Sequence, residues 1–168
     1  MKNIQTTGPV AKFFNALDWF LKALVVFGNG LMLLLVFAQV ITRYCFSYTP
    51  YFGEELARYL FVWVVFLSLP LVARYGGHMA IETLTSRVHG ATLKFLNITA
   101  DIFTIIFMAI MVGYGIQMVI KTSFQKSPAL MITMSWVYVV IPFGCGVMLL
   151  YTIANLVNVL KTPASEIK

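Results

Sequence analysis

Apolar and polar positions follow one another along this chain in long blocks. Uncharged runs cover Ala23–Thr42 (20 residues), Tyr59–Ala73 (15) and Trp136–Leu160 (25), and Phe95–Ile120 (26) is interrupted only by Asp101. The remaining charges gather between these runs. At 1.5 Å of rise per residue, twenty helical residues match a hydrocarbon core of about 30 Å. The pattern predicts an all-α, polytopic membrane protein. Its four transmembrane helices are expected over residues 20–42, 50–75, 94–120 and 135–160, in a single membrane domain spanning 1–168. A secretory signal peptide fits the N-terminus poorly, because the apolar core is too long and no small-x-small cleavage site follows. Helix one is therefore expected to be retained as an anchor.

The second helix has an amphipathic lead-in. Read as a helix from Pro50, the chain places Phe52, Leu56, Tyr59, Leu60 and Trp63 on one stripe, with Glu54 and Arg58 opposite. Pro50 suits a first helical turn and Thr49 an N-cap. Glu54 precedes Arg58 by four residues, the favourable order for a helical ion pair. Fifteen uncharged residues reach only about 22 Å, so Arg58 and Arg74 are expected to snorkel to opposite interfaces. Pro70 predicts a kink. Helix three is longer than the core it crosses, which brings Asp101 close to an interface, with Asn97 one turn before it as a hydrogen-bond partner. An ionisable residue in a membrane helix is a functional candidate by default, and shallow placement favours a partner-docking or structural role. Gly28 and Gly30, and Gly144 and Gly146 after Pro142, suggest close helix packing, while Asn29 and Gln39 suggest interhelical hydrogen bonds. Tyr44, Phe46, Tyr48, Trp136 and Tyr138 form the expected aromatic belt.

Composition agrees with the pattern: 60% hydrophobic residues, 11% charged, and a mean hydropathy of +0.87. The net charge of +6 does not point to nucleic acid, because no basic stripe is separable from the apolar runs. Lipid head groups and topology account for it better. The N-terminal segment, the Arg74–Lys94 segment and the tail hold eight lysines and arginines, and the two other loops hold four. That asymmetry predicts both termini in the cytoplasm. Cys45 and Cys145 lie far apart, without ligand spacing, and read as small buried side chains. No P-loop, GxSxG, HExxH or acid pair with an identifiable base occurs, so no enzyme, cofactor or metal centre is expected. His78 and His89 lie outside the four runs, which does not suit a haem-binding bundle. From the residues alone, a small homo-oligomeric exporter and a membrane anchor subunit of a redox complex both stay open.

The stretch Pro50–Glu82 narrows this. Its strings E-E-L-x-R-Y-L-F-V-W-x-x-F-L (Glu54 to Leu67) and A-R-x-G-G-H-x-x-x-E (Ala73 to Glu82) resemble the small permease subunit of TRAP (tripartite ATP-independent periplasmic) transporters. S-P-A-L at Ser127 and V-Y-V-V-I-P-F-G around Pro142 are similar to the same family. Phe52 stands where the family usually has Trp, and Ser68 and Pro70 replace small residues. The resemblance implies a four-helix subunit in a bacterial inner membrane. Its partners would be a large multi-helix permease subunit, a periplasmic substrate-binding protein and membrane lipids. The implied role is a scaffold for sodium-coupled uptake of an organic acid, of the sialic acid or dicarboxylate class. The partner-contacting candidates are Glu54, Glu55 and Arg58 at the outer face, Arg74 and His78 at the inner face, and Asp101.

Overall fold

The computed structural model describes residues 9–47, 51–75 and 91–161. They form helices α1 (Pro9–Phe46), α2 (Tyr51–Tyr75), α3 (Ala91–Lys121), the short α4 (Met134–Tyr138) and α5 (Val140–Lys161). Four of these segments, Phe14–Phe46, Tyr51–Arg74, Phe95–Lys121 and Met134–Val157, are long and apolar enough to cross a membrane, the last made of α4 and α5 together. Among the described residues there is no strand, only an isolated antiparallel bridge between Lys126 and Thr133. Pro9 opens α1 at a position where its missing N–H leaves no helical bond unmade. The helix then runs unbroken through Lys12, Asp18 and Lys22, beginning well before the expected boundary at residue 20. Its 38 residues measure about 57 Å, far more than a hydrocarbon core.

The helices pack in the order α1–α2–α5–α3, and α1 does not pack on α3. The bundle is thus open. Its buried core is small, comprising Leu21, Leu67, Val140, Val147 and Tyr151, with Leu17, Val62, Trp63 and Ile141 against them. Large side chains such as Phe27, Phe37, Phe103, Phe107 and Leu150 point outward. In water such a surface would be untenable, whereas lipid or a membrane partner solvates it.

Proline and glycine decide the central contact. α2 continues as one helix through Pro70, whose ring nitrogen cannot donate to the Phe66 carbonyl one turn earlier. Gly144 of α5 packs on that carbonyl: a Cβ there would lie 2.9 Å from the Phe66 carbonyl carbon. Similarly, a Cβ on Gly28 would lie 2.8 Å from a Val64 methyl, and one on Gly115 would lie 3.1 Å from Pro142. Gly30 and Gly146 face open space instead. The last membrane segment breaks at Val139, and Pro142 begins within the first turn of α5.

Other expectations change too. Asn29 bonds within its own helix, to the Val25 carbonyl at 3.1 Å. Gln39 lies over Gly53, its amide nitrogen buried without a partner. Cys145 is buried as expected, but Cys45 is exposed near the C-terminal end of α1. Thr49, Pro50 and both histidines lie outside the described residues.

Candidate functional site

Two polar clusters stand at opposite ends of α2. At its N-terminal end Glu55 projects between helices toward the loop joining α3 to α4. Its Oε2 accepts the backbone N–H groups of Ala129 (2.9 Å) and Leu130 (3.0 Å), and its Oε1 accepts the Tyr59 hydroxyl. The loop is further closed on itself. Leu130 N–H also reaches Ser127 Oγ at 3.2 Å, Ser127 N donates to Ile132 O at 2.9 Å, and Met134 N donates to Gln125 O at 2.9 Å. Glu54 and Arg58 are exposed, and the expected ion pair between them does not form. Arg58 therefore presents a free guanidinium at this end of the molecule.

At the other end, Arg74 does not snorkel. Its Nη1 lies 2.5 Å from Asp18 Oδ2 and 2.9 Å from the Phe14 carbonyl, and its Nη2 donates to Asn15 Oδ1 at 2.5 Å. The Tyr151 hydroxyl of α5 donates to the other Asp18 oxygen at 2.6 Å. The Tyr151 ring also lies 5.8 Å from the guanidinium carbon and 5.0 Å from the Phe14 ring. Asp18 is 2% exposed. Three helices thus meet around one ion pair, and a charge that the apolar core of α2 is too short to shield is neutralised internally. Asp101 of α3, 1% exposed, accepts from Asn155 Nδ2 of α5 at 2.9 Å. The bond crosses to α5 instead of running to Asn97 within α3.

Of the six expected site residues, Glu54 and Arg58 are outward-facing, while Glu55, Arg74 and Asp101 are bonded within the chain. His78 lies outside the described residues. Sequence reasoning passed over Asp18, Tyr151 and Asn155. Asp18 carried the one usable signal, an acid in a helix that becomes apolar, but the expected helix boundary left it outside the span.

Residues 32–162 match the family described as tripartite ATP-independent periplasmic transporters, DctQ component. The chain belongs to that family. A Haemophilus influenzae (strain Rd) protein, provisionally named a TRAP transporter small permease protein, is 31% identical over 130 residues, covering 77% of this chain and 76% of its own. The sialic acid TRAP transporter permease protein SiaT of Haemophilus influenzae (strain 86-028NP) is 26% identical over 132 residues, 78% of this chain. A Sinorhizobium fredii protein is 25% identical over 148 residues, 87% of this chain. This chain spans only 21% of SiaT and 27% of the Sinorhizobium protein, so in both the matched region belongs to a much longer polypeptide. DctQ proteins are multi-pass membrane components of transporters and not an enzyme family. Membership implies a large permease and a substrate-binding protein as partners.

Proposed function

We propose that this DctQ chain is the scaffold subunit of a sodium-coupled tripartite transporter for organic acids, of the sialic acid or dicarboxylate class. It holds a large permease subunit in the inner membrane and helps dock a periplasmic binding protein. The observation that carries this reading is the open α1–α2–α5–α3 order, which leaves broad apolar faces for a membrane partner. The longer relatives support it, since a module of this kind makes up about a fifth of the permease SiaT. Both termini lie in the cytoplasm, so the α3–α4 loop and the start of α2 face outward. Glu54 and Arg58 are then outer contacts, and His78 is an inner one. Glu55, Arg74 and Asp101 act from within, by fixing the surfaces that partners meet.

The test is reconstitution. Proteoliposomes containing this chain and the large subunit should take up the organic acid only with the binding protein and a sodium gradient. Liposomes containing this chain alone should show no uptake. Uptake by the chain alone, or failure to co-purify a large membrane subunit, overturns the scaffold role.

A further inference from the structure

Two strings far apart in sequence, Glu54–Glu55 and Ser127–Leu130, come together through one carboxylate. Glu55 accepts two successive amides of the loop, Ala129 and Leu130. The Lys126–Thr133 bridge and the Ser127–Ile132 and Gln125–Met134 bonds close the rest into a hairpin. Met131 sits at φ 55°, a conformation that non-glycine residues rarely adopt and that the surrounding bonds must maintain. Residues 122–133 of the hairpin lie between two membrane-spanning segments, which Lys121 ends and Met134 begins. On it Phe124 is 95% exposed and Met131 69% exposed. Lys121 and Lys126 are exposed too, and the segment from Lys121 to Ser135 contains no acid.

We propose that this Glu55-clamped hairpin is a preformed docking pad for the binding protein. Phe124 enters an apolar recess on that protein, and Lys121 and Lys126 meet carboxylates around it. The proposal rests on the tripartite reading above. The basic segment selects an acidic surface by charge complementarity. Rigidity favours a folded protein over lipid: head groups adapt to any loop, whereas fixing a loop beforehand strengthens binding to a partner of defined shape. Glu55 is thus a positioning residue, holding the pad without touching the partner.

The test uses the complex of this chain and its large subunit in phosphatidylcholine nanodiscs, with the purified binding protein as probe. Phe124→Ala and Lys126→Glu should each weaken binding about tenfold while the large subunit still co-purifies. Lys126→Glu should also slow association and flatten its dependence on salt. Glu55→Ala, which removes the oxygen that both amides share, should raise amide hydrogen exchange at Ala129 and Leu130 and weaken binding with it. Parent-like binding by the Phe124 and Lys126 variants overturns the pad and assigns the hairpin to the membrane surface, leaving the scaffold role intact. Failure of the parent chain to recover the large subunit overturns both.

Discussion

Arg74 shows how a charge survives beside an apolar span. An exposed arginine there could snorkel, and its loss would change stability little. This one has 11% of its side chain exposed, against 3% for Asp18, and both Asp18 oxygens have partners. Removing one member leaves the other charge buried without its counter-charge, which costs about 3–5 kcal/mol in buried pairs. Asp18→Leu and Arg74→Met should therefore each lower the detergent thermal midpoint strongly. The double variant Asp18→Leu/Arg74→Met should recover most of the loss, because replacing a whole buried pair with apolar groups is often neutral. Strictly additive effects in that double-mutant cycle would show that the two residues do not act as a pair. By contrast, Glu54→Gln and Arg58→Ala touch exposed, unpaired groups and should shift stability by no more than about 0.5 kcal/mol. Any larger effect of these two should appear in partner binding. The pairing of Asp18 with Arg74 was not legible in the sequence, because it depends on how far α1 extends before its uncharged run and on which helix lies alongside.

Helix contacts here are set by where a side chain is missing. Pro70 leaves the Phe66 carbonyl without its helical donor, and Gly144 brings the α5 backbone against that carbonyl. Gly144→Ala would drive a methyl into backbone atoms that cannot rotate away. The expected loss is about 1–3 kcal/mol, in the range of core overpacking, read as a lower melting temperature and weaker protection of α2 amides. Gly146→Ala and Gly30→Ala meet open space and should leave the isolated chain unchanged or slightly stabilised. Equal destabilisation at Gly144 and Gly146 would contradict the packing. The sequence marked both glycine pairs as packing positions, yet only one member of each faces a neighbouring helix. Residues two apart project about 200° from one another, so a single partner helix can select only one of them. Spacing could show that, but not which of the two it would be.

For the molecule as a whole, four block-like apolar runs were enough to read the spans, because length and hydropathy alone separate membrane helices from soluble ones. Packing order was not readable: every helix is apolar on most sides, so no stripe marks its neighbour. The same uniformity leaves the bundle without a polar face to reveal its orientation, and the charge count takes that role. Eight lysines and arginines in the two ends and the Arg74–Lys94 segment, against four in the other loops, support the proposed orientation with both termini and that segment inside. Cys45 is exposed near the C-terminal end of α1 and would itself react from outside, so it must first be replaced together with Cys145. In that background a cysteine at Gln125, exposed on the α3–α4 hairpin, should react with an impermeant thiol reagent added to intact cells. A cysteine at Ser86 should react only after permeabilisation. Because an odd number of spans separates these two positions, their labelling must be opposite in any four-span topology, which provides an internal control. Labelling of Ser86 with protection of Gln125 would invert the molecule, moving the Glu55-clamped hairpin to the cytoplasmic side, where it could not meet a periplasmic protein.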